Sequence, residues 1–205
     1  MMPTDDTQAI LDKAAIGQLI AAWGILRDTY AWEKLRDCWT DDGRIAVSWF
    51  DGTADEFVAG CKPMAVDRDN QIASQHVITG GSIDVAGDRA VAETRILILV
   101  RLKVDGIWSD VTAVARFYDL LLRTTAGWKI RRRVAIFDKD FIAPANPSDR
   151  LELDQARLEI YPEAYRCCGY MLSQRGMEIN MDLPAPGSPA LDRLYAEGAD
   201  WLAGT

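Results

Sequence analysis

The chain has 205 residues, of which 49% are hydrophobic, a length that allows one sizeable core and is short for two domains. Its formal net charge of −8 argues against a nucleic-acid partner, because affinity for nucleic acid comes largely from lysine and arginine side chains that neutralise phosphates. One histidine and four cysteines, with no Cys-x-x-Cys pair, argue against a zinc or iron–sulfur site.

The N-terminus contains Asp5 and Asp6 and has no basic stretch followed by an apolar one, so it does not resemble a secretory signal. No segment approaches the roughly 20 uninterrupted apolar residues of a membrane span. We therefore expect a cytoplasmic protein that does not associate with a membrane.

The chain up to residue 66 is predicted to be mainly helical. Apolar residues between Thr7 and Tyr30 recur at intervals of three and four, which is typical of one face of an α-helix. The run Asp41-Asp42-Gly43 predicts the end of a second helix. In chain order the predicted elements are a helix over residues 7–30, a short helix over 31–39, a strand over 44–50 and a third helix over 54–66.

From Gln75 onward, long runs rich in Val, Ile, Thr and aromatic residues are separated by short turns that contain glycine. Strands longer than the usual ~5–6 residues predict a strongly bent or coiled sheet, which can wrap around helices and enclose a cavity. Gly80-Gly81 predicts a bulge in the first of them. The predicted antiparallel strands cover residues 75–85, 89–104, 107–124 and 128–142.

After Pro144 the pattern becomes helical again over residues 149–172, with an interruption at Pro162, and a proline-rich linker leads to a last helix over 190–202. Adjacent Cys167 and Cys168 are interpreted as two buried small side chains rather than a redox pair. The whole predicts an α+β domain over residues 1–144. A mostly helical extension over 145–205 is expected to pack on that domain or on a neighbouring subunit.

Asp28 and the sole histidine, His76, are the candidates for proton transfer. Most aspartates are solvated surface groups, and a histidine in a strand is more often a packed core residue than a base. Histidine nevertheless both accepts and donates protons near neutral pH. A carboxylate bonded to one ring nitrogen fixes the tautomer and stabilises the cation formed after proton uptake. The two residues would therefore act as a pair, provided that the fold brings them together.

Three consecutive arginines, Arg131, Arg132 and Arg133, lie in the last long strand. Because side chains alternate between the two faces of a strand, at least one guanidinium points toward the enclosed side. There it would stabilise an oxyanion or a leaving group, or bind a substrate carboxylate. The alternative is a solvated, ion-paired run of arginines, and the residues alone do not decide which arginine faces inward.

Aromatic residues are numerous enough to line a pocket as well as a core. Trp23 and Trp49 in the first part and Phe117 and Tyr118 in the strands are candidate contacts for a flat, apolar substrate, although aromatic clusters usually form core. Tyr30 and Tyr118 are also candidate proton donors or hydrogen-bonding groups. No glycine-rich phosphate loop and no Gly-x-Ser-x-Gly motif is present, so no cofactor is predicted.

Over residues 6–144 the order of these elements resembles the nuclear transport factor 2-like superfamily, and within it the SnoaL-like branch. The resemblance is carried by Trp23-Gly-Ile-Leu-Arg-Asp28-Thr-Tyr30-Ala-Trp32, Trp39-Thr-Asp-Asp42-Gly, His76, Gly87-Asp-Arg-Ala90, Phe117-Tyr-Asp119 and Gly127-Trp-Lys-Ile130. It implies a cone-shaped α+β barrel in which a strongly curved antiparallel sheet wraps around N-terminal helices, with the active site inside. It also implies association into a homotrimer or homodimer through the exposed face of the sheet.

Scytalone dehydratase and lindane dehydrochlorinase in this superfamily use an Asp–His dyad, and the resemblance places that dyad on Asp28 and His76. It places an arginine of the dehydrochlorinase on Arg133, whereas the lysine of that enzyme falls on Trp23, which argues against dehydrochlorination. The implied activity is that of a cofactor-independent lyase. Dehydration, or retro-aldol release of formaldehyde, would act on a small aromatic or alicyclic hydroxylated compound, including lignin-derived ones.

Two other functions remain open at this point. An isomerase or a cyclase would use the same residues, because each begins with a similar proton abstraction. A non-catalytic ligand-binding or assembly subunit, like the small subunit of aromatic-ring dioxygenases, would have the same fold without the chemistry.

Overall fold

The structure is a computed structural model that describes residues 5–66 and 71–204. Its helices are α1 (Asp5–Asp28), α2 (Trp32–Arg36), α3 (Ala54–Cys61), α4 (Gln155–Leu158), α5 (Arg166–Gln174) and α6 (Pro189–Ala203), with 3₁₀ turns at Pro63–Val66 and Glu163–Tyr165. Its strands are β1 (Trp39–Val47), β2 (Phe50–Thr53), β3 (Gln71–Ala86), β4 (Arg89–Val104), β5 (Ile107–Thr124) and β6 (Gly127–Pro144). The strands form one curved sheet in the order β2-β1-β6-β5-β4-β3. Helices and sheet together give the predicted α+β fold class.

The four long strands agree with the prediction. They pair as successive antiparallel hairpins, since β4 pairs with both β3 and β5, and β5 also pairs with β6. The predicted bulge is present, because the register of β3 against β4 shifts between Ile78 and Gly81. A Cβ atom at Gly81 would lie 2.4 Å from the backbone oxygen of Glu93, so the bulge needs glycine at this position.

The predicted second helix is too long. α2 ends at Arg36, and the stretch from Trp39 that includes Asp41-Asp42-Gly43 belongs to β1 rather than to a helix end. β1 runs parallel to β6, with Trp39 opposite Ile130 and Ile45 opposite Arg133. Backbone hydrogen bonds to the free edge of β6 therefore outweigh the local helical pattern, a long-range effect that a local sequence pattern does not contain.

The third helix is shorter than predicted because of Pro63. α3 begins with a capping box, in which the Thr53 hydroxyl accepts from the Glu56 backbone N–H and the Glu56 side chain accepts from the Thr53 N–H. It ends at Cys61, and the chain continues as the 3₁₀ turn Pro63–Val66. Proline lacks a backbone N–H and its ring clashes with the preceding turn, which stops the helix.

α1 packs along β3 through a single inner stripe. Ile16, Ile20 and Trp23 on this stripe are at most 2% exposed, whereas Ile10 and Ile25 on the opposite side are 68% and 65% exposed. By length and hydropathy alone, residues 7–28 could cross a membrane, contrary to our reading of the sequence. In the fold the same helix contributes its inner stripe to the core.

The inner stripe of α1 begins with a buried carboxylate. Asp12 is 5% exposed and accepts two hydrogen bonds from the Arg123 guanidinium, at 2.7 and 2.6 Å, and one from the Trp128 indole at 3.1 Å. The Arg123 hydrogen bonds lower the pKa of Asp12 from 3.8 to about 2. The folded pKa lies below the unfolded one, so this stabilisation is complete above about pH 4 and is lost as the pH falls toward 2.

We expect Asp12→Asn to lower the free energy of unfolding by about 2 kcal/mol at pH 7, and by progressively less below about pH 4. Urea unfolding between pH 3 and pH 7 measures this difference. Asp55→Asn is the matched control, because Asp55 pairs with Arg36 at the surface with its side chain 68% exposed, and should change stability by less than about 1 kcal/mol. A difference for Asp12→Asn that does not narrow in acid would contradict the prediction.

The C-terminal extension packs on the same domain, in two places. The predicted helix over 149–172 is divided into α4, a 3₁₀ turn and α5 around Pro162, and α5 contacts β5 and β6. α6 packs on the outer face of the sheet, where the Trp201 indole donates to the backbone oxygen of Ala90 at 3.2 Å. Gly198 lies against Tyr118, since a Cβ at that glycine would lie 1.9 Å from the phenol oxygen. α6 therefore covers part of the face through which we expected subunits to associate.

Candidate active site

Asp28 and His76 are in direct contact. Asp28 is the last residue of α1, and its Oδ1 lies 2.6 Å from Nδ1 of His76 on β3. Its other oxygen, Oδ2, accepts from the backbone N–H of His76, also at 2.6 Å. Because an ionised carboxylate only accepts hydrogen bonds, Nδ1 carries the proton and the lone pair lies on Nε2. One carboxylate thus orients both the ring and the strand that carries it.

Glycine at position 24 allows this contact. A Cβ at Gly24, one turn before Asp28, would lie 2.9 Å from the backbone oxygen of His76 and 3.0 Å from Cγ1 of Ile78. α1 can therefore approach β3 closely enough for the short aspartate side chain to reach the imidazole. The two side chains are 17% and 12% exposed, so the pair is largely shielded from water.

His76 lines an internal cavity of about 90 Å³. The cavity is mainly apolar, as is usual for sites that bind small molecules. Ser48, Ser74 and His76 supply polar atoms among aromatic and aliphatic walls. The aromatic walls are Trp23, Trp49, Phe57, Phe117 and Phe137. Three of the four predicted substrate contacts, Trp23, Trp49 and Phe117, therefore line the cavity.

Tyr118 and Tyr30 do not line the cavity, contrary to our expectation. Tyr118 follows Phe117 in β5 and faces the other side of the sheet, where its ring lies 5.4 Å from that of Tyr195 on α6. Burial there raises the pKa of Tyr118 to about 12. Tyr30 has a φ of 61° immediately after α1, is 40% exposed and packs on Trp32. Neither hydroxyl is placed to donate a proton to a molecule in the cavity.

Arg133 is the arginine of the run that points inward. The register of β5 against β6 shifts between Leu120 and Leu121, which leaves Arg131 out of the pairing. This bulge allows the side chains of Arg131 and Arg132 to remain 34% and 40% exposed, whereas that of Arg133 is 0% exposed. The strict alternation assumed from the sequence therefore fails at this point.

Arg133 does not line the cavity but lies behind its aromatic wall. Its guanidinium makes two hydrogen bonds of 2.7 Å to Asp119, the residue directly opposite on β5. It stacks against the rings of Trp23 at 4.5 Å and Phe117 at 4.2 Å, both of which face the cavity. Contrary to our expectation, Arg133 is therefore not placed to contact a substrate. It supports the aromatic rings that form the cavity wall.

Two sets of cavity residues were missed from the sequence. Arg27 continues the inner stripe of α1, four residues after Trp23, so its helical spacing was the available signal. The other set comes from the C-terminal extension, in which we had predicted no site residue. It consists of Cys168, Met171, Leu172, Arg175 and Met177.

The cysteines of the extension are free thiols inside α5. Burial raises the pKa of Cys167 to about 12 and holds that of Cys168 well above its usual value, which disfavours a reactive thiolate at either position. In the described part of the chain, no three His, Cys, Asp or Glu side chains come together as a metal-binding group.

The family follows from a comparison of sequences. The family model of the SnoaL-like domain matches residues 8–134, a stretch that contains both members of the Asp28–His76 pair. This chain belongs to the SnoaL-like family. The match ends before the C-terminal extension of this SnoaL-like protein begins.

Fungal relatives also match the extension. A PEP2-like protein of Fusarium vanettenii is 26% identical over 204 residues, which cover 95% of this chain and 87% of the relative. Pea pathogenicity protein 2 of the same fungus is 27% identical over 205 residues, with the same coverage.

Solved structures share the fold. A putative scytalone dehydratase from Novosphingobium aromaticivorans has a TM-score of 0.57 and 18% identity, and the match covers 70% of this chain and 97% of the other. A type 2 hexachlorocyclohexane dehydrochlorinase has a TM-score of 0.56 and 18% identity, with coverage of 74% and 99%. These likenesses establish the cone-shaped α+β fold of the SnoaL-like protein.

Proposed function

We propose that this SnoaL-like protein is a cofactor-independent lyase that acts on a small aromatic or alicyclic hydroxylated compound. The observation that supports this function best is the two-point contact between Asp28 and His76 at the edge of a largely apolar cavity. An imidazole held in one tautomer by a carboxylate is a competent general base at neutral pH.

In the proposed reaction, Nε2 of His76 takes a proton from the substrate, and Asp28 stabilises the imidazolium that results. For a dehydration the proton comes from carbon, its C–H electron pair forms the new double bond, and the adjacent C–O bond breaks. The departing hydroxide takes the proton back from the imidazolium and leaves as water. One residue therefore acts first as base and then as acid.

A retro-aldol reaction needs the same two groups. Nε2 of His76 takes the hydroxyl proton of a hydroxymethyl group. The C–C bond that joins this group to the rest of the substrate breaks, and formaldehyde leaves with its new C=O bond. The carbanion that remains takes the proton from the imidazolium. The aromatic walls exclude water from this carbanion, which strengthens every electrostatic interaction at the site.

A substrate panel tests the proposal. The purified protein is incubated in D₂O, with a chelator and no added cofactor, with aromatic and alicyclic alcohols that carry an acidic C–H or a hydroxymethyl group. Mass spectrometry then follows loss of water, release of formaldehyde and incorporation of deuterium. Elimination that depends on His76 supports a lyase, whereas a product of unchanged composition would indicate an isomerase or cyclase with the same base. If no compound in the panel reacts or exchanges, the catalytic proposal fails and a ligand-binding role is favoured.

A further inference from the structure

A buried cation lines the same cavity, close to the proposed base. Arg27 is only 7% exposed, although arginine is seldom buried unless it is paired. It precedes Asp28 directly in α1, and its side chain lines the cavity together with that of His76. The helix that orients the imidazole therefore also carries a positive charge to the cavity wall.

The described side chains that contact Arg27 are neutral. Its Nη2 lies 3.6 Å from Sδ of Met64, and its guanidinium carbon lies 5.8 Å from the centre of the Trp32 ring. It also lies near the Cys61 thiol, whose pKa burial raises to about 11 while the guanidinium partly offsets that rise. Among the side chains that the structure describes, over residues 7–65 and 74–204, no Asp or Glu oxygen pairs with Arg27. Arg27 thus differs from Arg133, which is buried but paired with Asp119.

The other charged group of the cavity wall is also cationic. Arg175, at the end of α5, lines the cavity, and no carboxylate of the described residues does so. Among the described residues, the arginine and carboxylate side chains that line the cavity are thus arginines alone, in a chain whose formal net charge is −8. Burial of a cation without a counter-ion is costly, and an anionic ligand in the cavity would remove that cost.

We propose that the cavity takes a substrate with a carboxylate group, and that Arg27 is the counter-ion of this carboxylate. The inference rests on the proposed function, to which it adds the substrate class: a small aromatic or alicyclic hydroxy acid. A guanidinium presents two parallel N–H groups that match the two oxygens of a carboxylate. A carboxylate bound there sets the ring in the aromatic part of the cavity, within the reach of His76.

The pairing also assists the reaction. Removal of a proton from a carbon near the carboxylate increases the negative charge of the substrate, and Arg27 is placed beside this growing charge. It takes the role in charge stabilisation that we had expected of the inward-facing arginine among Arg131, Arg132 and Arg133. Arg27 is thus proposed as a specificity-determining residue for the same site.

Binding measurements test this inference separately from turnover. Benzoate, its neutral analogue benzamide, and inorganic phosphate are titrated by calorimetry into the wild-type protein, the His76→Gln variant and the Arg27→Met variant. We expect wild type and His76→Gln to bind benzoate at least about tenfold more tightly than benzamide, with phosphate weaker than benzoate. Arg27→Met should lose this preference for benzoate and keep its affinity for benzamide within about twofold. Because His76→Gln cannot act as a base, its binding is informative even if the proposed function fails.

Two further variants act as controls. Arg44→Met removes an equivalent charge outside the cavity, where Arg44 has its side chain 53% exposed, and should bind like wild type. Arg27→Lys keeps the charge and should retain a weakened preference for benzoate. This variant provides the test if Arg27→Met does not fold. Equal affinity of the wild type for benzoate and benzamide, or no binding of benzoate at millimolar concentration, would overturn the inference. Stronger binding of phosphate than of benzoate would overturn the choice of a carboxylate.

Discussion

Replacing His76 with glutamine is expected to lower kcat/KM by about 10²–10⁴-fold, because it removes the only imidazole of the chain. The neighbouring residue supplies a matched control. Gln75 is exposed, whereas His76 lines the cavity, so the double variant Gln75→His and His76→Gln keeps the composition and moves the imidazole outward. This double variant should be as inactive as the single one, and activity at the wild-type level in either protein would refute His76 as the base.

Asp28→Asn tests the orienting half of the pair. The carboxylate accepts from both the ring and the backbone N–H of His76, and an amide has only one oxygen with which to accept. One hydrogen bond is therefore lost, or the amide N–H group faces Nδ1 and favours the wrong tautomer. We expect a fall in kcat of similar size to that for His76→Gln, with KM little changed, since Asp28 is not expected to touch the substrate. Asp42→Asn, at a surface pair with Arg131, should leave kcat unchanged.

Arg133→Met is expected to lower the free energy of unfolding by about 3–5 kcal/mol, the largest loss of stability that we predict. The substitution leaves the carboxylate of Asp119, which is 0% exposed, without its partner. It also removes the stacking of the guanidinium on Trp23 and Phe117. Chemical denaturation followed by far-ultraviolet circular dichroism measures the loss without relying on the fluorescence of nearby tryptophans.

The double variant Arg133→Met and Asp119→Leu isolates the cause. If the loss comes from an unpaired buried charge, removal of both charges should restore most of the stability, because two apolar side chains need no counter-ion. Arg131→Met is the surface control, and should cost less than about 1 kcal/mol. An equally unstable double variant would show that stacking, rather than charge pairing, is what the arginine contributes.

Local patterns were sufficient for the long strands and for the first helix. β4 and β5 begin and end where the glycine-containing turns predicted, since Asp105-Gly106 and Gly87-Asp88 are strong local signals. Local patterns were insufficient for the start of β1, because pairing with β6 makes the residues from Trp39 onward a strand. The difference is physical, because a turn is determined by its own residues and a strand edge by a distant partner.

The candidate site shows the same division. His76, as the sole histidine, and Asp28, through the resemblance, were candidates from the sequence, and the structure places their side chains 2.6 Å apart. The resemblance placed an arginine of the site on Arg133, and Tyr118 was a candidate as an aromatic ring with a hydroxyl. In the structure Arg133 is paired with Asp119 behind the cavity wall, and Tyr118 lies on the outer face against Tyr195 of α6.

By itself, the sequence determined the first helix, the four long strands and the side chains that are chemically able to transfer a proton, and its resemblance to a family indicated the fold. Only the tertiary structure decided that Arg27 and α5 line the cavity, that Arg133 is neutralised by Asp119, and that Tyr30 lies outside. The reason is that residue type limits what a side chain can do, whereas its surroundings depend on register, bulges and the packing of segments far apart in the chain.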